Sequence, residues 1–368
     1  MQKYDLDTPC LTLDLDVLEK NLGRMQAGAT AAGKKLRPHA KSHKCSILAQ
    51  KQMDLGAIGI CTAKVSEAEV LVSHGVQGIL VTGPVASAQK ATRLAKLLEK
   101  SPTLMTVVDH AAGIELLDRH LTDINLGMDV LVDIDVGLQR TGVPPAGPLG
   151  LAEQVLASSH LRLKGIQAYA GQVQHIKRYD ERRAASIACM GRAAEVFTSL
   201  QAQAASCTIF SGAGTGTCEI DLEIDELTEL QVGSYPLMDA EYLAIESARQ
   251  PDYAGLFPAA LTLLTTVISA SQDTHVTVDA GLKSLYRDGG QPQVVTPEHG
   301  NLRYDWFGDE YGMLSPREGA GALPRLGEVV ELVVSHCDPT VNQFDCYHVT
   351  RGSRVVDRWP IDMRGKSQ

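Results

Sequence analysis

The sequence predicts an α/β protein in which a (β/α)8 barrel of the TIM type is followed by a C-terminal all-β domain. Three observations carry that expectation. Between residues 36 and 234, eight short apolar runs alternate with longer amphipathic stretches rich in Ala, Leu, Glu and Lys, the order of repeated βα units. Beyond about Glu246 this texture gives way to β-branched runs separated by Gly, Pro, Asn and Asp, with no long helical period. Side chains able to do chemistry fall where the predicted strands end, the catalytic rim of such barrels. A doubly wound open sheet is the alternative, but eight units is the barrel's number.

In chain order, Leu15, Leu18, Leu22 and Met25 have helical spacing, with Asp14 or Asp16 as N-cap and Gly33 as stop. The barrel strands are predicted at Leu36–Ser42, Ala57–Thr62, Gly78–Thr82, Thr103–Val108, Met128–Val136, Leu163–Tyr169, Cys207–Ser211 and Thr228–Ser234. Helices fit between them at Lys64–His74, Ser87–Lys100, Ala111–Leu121, Leu149–Ser158 and Tyr179–Ala204, whereas the last connection is poor in helix signal. The later strands are expected at Leu261–Ser269, His275–Val278, Val329–Ser335, Tyr347–Val349 and Arg354–Val356, with Pro9–Leu13 joining them. The expected domains are residues 14–250 for the barrel, and 1–13 plus 251–368 for the β domain.

A net charge of -10 over 368 residues, with a pI near 5.6, argues against nucleic acid or an anionic membrane as partner. The opening MQKYDLDTPC lacks an apolar run behind a basic region, and no later stretch approaches the roughly 18 apolar residues of a membrane span. A cytoplasmic protein acting on small molecules is expected. The eight cysteines are scattered without a CxxC pair and read as reduced thiols.

The segment Leu36-Arg37-Pro38-His39-Ala40-Lys41-Ser42-His43-Lys44 gathers cations and imidazoles at the first strand. If it is extended, Arg37, His39, Lys41 and His43 share one face and Lys44 the other. A lysine crowded by cations loses affinity for its proton, and a neutral amine is what a Schiff base needs. The seventh strand ends in Ser211-Gly212-Ala213-Gly214-Thr215-Gly216-Thr217 and the eighth in Gly233-Ser234-Tyr235. One glycine-rich turn is only a tight loop. Two, after strands seven and eight, make a phosphate cup. A lysine beside such a cup fits pyridoxal 5'-phosphate, whose aldehyde and phosphate need these two groups. In the β domain an extended Ser335-His336-Cys337-Asp338 would point His336 and Asp338 the same way, half of a divalent-metal site. A carboxylate in place of a thiolate tilts the choice from zinc towards manganese, magnesium or cobalt.

The ordered set RPHAKSHK, DVGLQRTGV, GIQAYAGQVQH, SGAGTGT, LQVGSYPLMD, VDAGLK and SHCDPTVN resembles the D-threonine aldolase family. That family lies within the metal-activated, alanine-racemase-like (fold-type III) pyridoxal enzymes that also include D-serine dehydratases. The resemblance implies that Lys41 is the Schiff-base lysine, that Tyr169 packs on the cofactor ring and that Arg140 lies near its phenolic oxygen. It further implies that Ser211, Gly212, Gly214, Thr215, Gly233, Ser234 and Tyr235 bind cofactor. His336 and Asp338 are implied to hold the metal, manganese ahead of magnesium, cobalt or zinc, and His175 resembles the family's base. The implied substrate is a small D-β-hydroxy amino acid, and the implied assembly a homodimer. Dehydratase relatives show H-x-C where this chain has His336-Cys337-Asp338. β-Hydroxyaspartate aldolases share the H-C-D-P-T run, and a non-catalytic pyridoxal-phosphate carrier would lack the β domain. Many relatives have Glu-His-Gly where this chain has Glu310-Tyr311-Gly312.

Overall fold

The computed structural model describes residues 1–317 and 322–368, which separate into two compact units. One comprises Arg24–Lys41, Ser46–Gly233 and Gly365–Gln368; the other comprises Met1–Gly23, Ser42–Cys45 and Ser234–Arg364.

The first unit holds eight parallel strands: Lys35–Leu36, Cys61–Thr62, Leu80–Val81, Met105–Val108, Met128–Ile134, Leu161–Ala168, Ile209–Gly212 and Glu229–Leu230. Strand one pairs with strand eight, and the ladder runs back through seven, six, five, four and three to two. A parallel bridge between His39 and Cys61 joins strands one and two. The bonds there are Cys61 N–H to Pro38 O at 2.7 Å and Ala40 N–H to Cys61 O at 2.9 Å. The ladder therefore closes on itself, as a (β/α)8 barrel requires.

Helix limits follow local chemistry. Asp14 Oδ1 accepts the Val17 amide at 3.0 Å ahead of the helix Leu15–Ala31, and Gly33 at φ +69° follows its end. Ser87 caps Ala88–Lys100, and Tyr179–Gln203 supplies the longest helix. All but the sixth of the barrel strands are shorter than the sequence predicts. The regular part of the first ends at Leu36 instead of Ser42; bonds to strand eight continue through Arg37 N–H to Leu230 O and His39 N–H to Val232 O, both at 3.0 Å, until residues 40–43 form a turn. The second is reduced to Cys61–Thr62. Before it, a Cβ on Gly59 would lie 1.9 Å from Gly78 O and 2.4 Å from Arg37 Nη1, so only glycine lets the backbones approach.

Inside the unit, Arg37 and Glu229 form a two-pronged ion pair, Nε to Oε1 at 2.8 Å and Nη2 to Oε2 at 3.0 Å, and Arg37 also bonds Gly78 O. Both residues are buried. Such a pair is worth little against an apolar substitute, but removing one member strands a charge.

The second unit is a nine-stranded sheet. Its order is Val276–Val278, Gly312–Pro316, Leu302–Trp306, Gln293–Val294, Val329–Val333, Leu261–Ser269, Cys10–Asp14, Cys346–Arg351, Arg354–Pro360. Val276–Val278 also pairs with Leu261–Ser269. The short strands at Gln293, Leu302 and Gly312 escape the sequence reading because they carry few β-branched residues. Ser234 begins the unit's long segment because Ala240 N–H bonds Val334 O at 3.0 Å and Ala260 N–H bonds Leu237 O at 2.8 Å. Among the described residues no helix is long and apolar enough to cross a membrane.

The ion pair gives a direct test. Glu229→Ala leaves the Arg37 guanidinium buried without its carboxylate and should cost about 3–5 kcal/mol in denaturant unfolding. A loss below about 1 kcal/mol would mean that Arg37 is not held by charge pairing.

Candidate active site

Lys41 lies in the turn after the first barrel strand and is partly exposed. Its amide donates to His39 Nδ1 at 3.3 Å, which leaves the ring proton on Nε2, 3.2 Å from Thr82 Oγ1. The Thr82 hydroxyl donates to Thr62 O at 3.1 Å. His39 is thereby tied at both ring nitrogens, and Arg37 is paired with Glu229. One sequence expectation is corrected here. Lys41 sits on a turn and not on a strand face, so face alternation does not separate Lys41 from Lys44. What distinguishes Lys44 is φ +50° and a carbonyl that accepts the Met363 amide at 3.0 Å within the β unit.

Amides, not hydrocarbon, fill the barrel around this end. Gln167 donates to Thr82 O at 3.1 Å and to Asp133 Oδ1 at 2.9 Å, and accepts from Gln231 Nε2 at 3.0 Å. Gln231 Nε2 also reaches Ser211 Oγ at 2.9 Å. Burial pushes the Asp133 carboxyl up to about 6, against hydrogen bonds from Gln167 and Thr141.

After the fifth strand, Asp135 Oδ1 accepts the amides of Gly137 at 2.9 Å and Gln139 at 3.0 Å, curling the loop that presents Arg140. The Arg140 guanidinium stands 5.6 Å from the Tyr169 ring centroid. A Cβ on Gly171 would lie 2.8 Å from Tyr169 Cε1, so glycine at 171 gives the ring its room. His175 is exposed in the turn beyond.

The glycine-rich turn after strand seven contains Ala213 at φ +68°, and successive main-chain groups around such a left-handed residue form a concavity able to hold an anion. Ser211, Gly212, Gly214 and Thr215 are buried there. Gly214 and Gly216 have a second reason to be glycine. Their Cβ atoms would fall 2.3 Å from Gln174 Oε1 and 2.0 Å from Gln174 O. Gly233 is half-buried at the end of its unit, whereas Ser234 and Tyr235 begin the β unit's long segment. Ser234 O accepts the amides of Leu237 at 3.1 Å and Met238 at 2.8 Å, and Tyr235 packs edge-on against Phe257. A lysine amine, a main-chain concavity at the left-handed Ala213 and an arginine over a tyrosine face make a donor set that fits pyridoxal phosphate.

In the β unit the strand Val329–Val333 does not continue through Asp338, contrary to the sequence expectation. His336 caps a short helix, Cys337–Val341, with Asp338 in its first turn. The spacing still brings the pair together, because His336 Nε2 lies 4.0 Å from Asp338 Oδ1. Two ligands each about 2.1 Å from one ion are separated by roughly 3.0–4.2 Å, so the pair could hold a divalent ion. His336 Nδ1 meets Asp288 Oδ2 at 3.2 Å; with the ring proton on Nδ1, Asp288 would hold it and leave Nε2, the nitrogen nearer Asp338, as a ligand. Asp239 Oδ2 accepts the Cys337 amide at 3.0 Å and steadies the helix start. Among the described residues no group of three or more His, Cys, Asp or Glu side chains could hold a metal, so other positions of the shell would fall to water and substrate.

Sequence reasoning missed Gln174, Arg182, Gln167, Gln231 and Asp288. Only Asp288 carried a local sign, a turn signal with Gly289 and Gly290.

Asp221, below the glycine-rich turn, accepts from Ser186 Oγ at 2.6 Å and Thr217 Oγ1 at 2.5 Å, and burial pushes its carboxyl up to about 6. The folded state then binds this proton more tightly than the unfolded chain, so the associated stability is present at low pH and is lost as pH rises through about 6. Asp221→Asn should therefore gain on the parent protein between about pH 4 and about pH 7, by on the order of 2–3 kcal/mol. Unfolding curves at several pH values check this, and a constant difference would refute it.

Comparison with known proteins agrees with this architecture. The alanine racemase N-terminal domain model matches residues 13–240, and a serine dehydratase domain model matches residues 260–350. A D-threonine aldolase from an Arthrobacter species is 39% identical over 99% of this chain and 94% of its own. A 3-hydroxy-D-aspartate aldolase from Paracoccus denitrificans is 35% identical over 100% and 94%. The crystal structure of D-threonine aldolase from Filomicrobium marinum superposes with a TM-score of 0.93 at 37% identity, covering 99% of this chain and 97% of that one. The chain belongs to the D-threonine aldolase family, with the alanine-racemase-like fold that implies pyridoxal phosphate, and it is an enzyme of the lyase class.

Proposed function

We propose that the protein cleaves a D-configured β-hydroxy-α-amino acid of the D-threonine type to glycine and an aldehyde. The observation that carries this reading is the His336–Asp338 pair, Nε2 to Oδ1 at 4.0 Å, with Asp288 at the other imidazole nitrogen. An acidified β-hydroxyl is what a retro-aldol cleavage needs, and an oxygen donor beside the imidazole suits a hard divalent ion. Manganese is the first choice.

Lys41 would hold the cofactor aldehyde through its amine. Ser211, Gly212, Gly214, Thr215 and Gly233 would hold the phosphate, Tyr169 would support the ring, and Arg140 would serve its phenolic oxygen. When bound, pyridoxal phosphate supplies a sink for the electron pair released at Cα, and the divalent ion a Lewis acid for the β-hydroxyl. His175 takes the hydroxyl proton, since imidazole is the side chain whose ordinary range lies near neutrality. The oxygen pair then forms the aldehyde carbonyl as the Cα–Cβ bond breaks, and Cα regains a proton to give glycine. A β-hydroxyaspartate substrate is the second reading, supported by the match to the Paracoccus aldolase. A homodimer in the cytoplasm is the expected setting.

Purified protein supplied with pyridoxal phosphate and manganese should release glycine and acetaldehyde from D-threonine. Ammonia and a keto acid without glycine would make it a dehydratase, and a faster rate on D-3-hydroxyaspartate would select the second substrate. Lys41→Ala should abolish turnover.

Asp288→Asn should weaken manganese binding about 10–100-fold by leaving His336 unoriented. Titration of the metal into chelator-stripped protein measures this, and an unchanged affinity would remove Asp288 from the site.

A further inference from the structure

The loop that carries His175 and the glycine-rich turn are locked to each other from two sides. Gln174 Oε1 accepts the Gly216 amide at 3.0 Å, while Gln174 Nε2 donates to Thr217 Oγ1 at 3.0 Å and Ala170 O at 3.2 Å. Arg182, on the first turn of the long helix, is fully buried and bonds main-chain carbonyls in both segments. Its Nε donates to Gly216 O at 2.7 Å, and its Nη1 donates to Ile176 O at 2.6 Å and Lys177 O at 3.3 Å. Both backbone groups of Gly216 are thus engaged, one by each residue. Burying a guanidinium is costly, and the rigid fork repays it only while the two segments keep their spacing. The absence of a Cβ at 214 and 216 permits that spacing.

His175 lies between Gln174 and Ile176, the two residues so fastened. We propose that Arg182 is a positioning residue which, with Gln174, makes the placement of His175 depend on the glycine-rich turn. Filling the turn with the cofactor's phosphate then further tightens segment 174–177, so that cofactor binding and placement of the base are coupled. This rests on the reading of His175 as base and of the turn as phosphate site. Neither the phosphate nor the imidazole touches Arg182 in this scheme; it acts through main-chain carbonyls.

Hydrogen–deuterium exchange with and without pyridoxal phosphate separates this from a purely structural role. In the parent protein, cofactor should slow exchange on the order of tenfold in peptides covering 211–217 and also 174–178, a coupling of ordinary size. In Arg182→Gln the slowing should persist at 211–217 and fall below about twofold at 174–178, with kcat lowered more than KM is raised. Equal slowing at 174–178 in the variant overturns the inference, as does none there in the parent. If Arg182→Gln does not fold, Arg182→Lys keeps the buried cation without the fork and should give the same split in weaker form; parent-like slowing there overturns the inference. Adding pyridoxal lacking the phosphate should leave 174–178 unprotected, and full protection would remove the phosphate from the coupling. His175→Ala tests the underlying reading by itself. It should lose turnover while keeping the coupled protection, and retained turnover would reject His175 as base whatever Arg182 does.

Discussion

The barrel depends on the main-chain hydrogen bonds that join its first and second strands, Ile58 N–H to Leu36 O, Cys61 N–H to Pro38 O and Ala40 N–H to Cys61 O. Pro38 offers the second strand no amide, but its carbonyl receives one from it, and the first strand keeps bonding strand eight beyond this point through His39 N–H to Val232 O at 3.0 Å. That closes the ladder and releases the chain into a turn immediately afterwards, with Lys41 on that turn. The His39 imidazole, bonded at one nitrogen by the Lys41 amide and at the other to Thr82, ties the same turn to the barrel interior. Position of the lysine and closure of the barrel are a single constraint.

What the sequence made legible is what short-range chemistry decides. Asp14, Ser87 and Gly33 end helices for reasons contained within four residues, and those limits are found where expected. Strand limits depend on partners far away, which is why a run such as Ala57–Thr62 keeps only its last two residues in the ladder. The His-x-Asp spacing reads as strand alternation, yet a helix start also brings those side chains within 4.0 Å. The spacing is legible in the sequence; the element that carries it is not. Asp288 is 48 residues from its imidazole, and no periodicity connects them.

The glycines of the seventh-strand turn show how one residue type answers two demands. Read alone, Gly212, Gly214 and Gly216 advertise an anion site. In the fold, two of the three are also required by a glutamine whose amide and carbonyl occupy the space of a Cβ. Neither Gln174 nor Arg182 could be singled out from sequence, since a glutamine in a loop and an arginine at a helix start are commonplace. Their importance comes from burial and from partners on another βα unit.

The amide chain through the barrel bears on how this enzyme can change. Gln167 on strand six joins Thr82 beyond strand three, Asp133 on strand five and Gln231 beyond strand eight, and Gln231 joins Ser211 on strand seven. Each of these groups satisfies another in a setting where an unmatched amide is costly. Substitutions at these positions will not add: one that is harmful alone can become neutral once its neighbour has changed. Altering the chemistry at this rim is therefore a problem in paired mutations, and libraries that vary one strand end at a time will under-sample it.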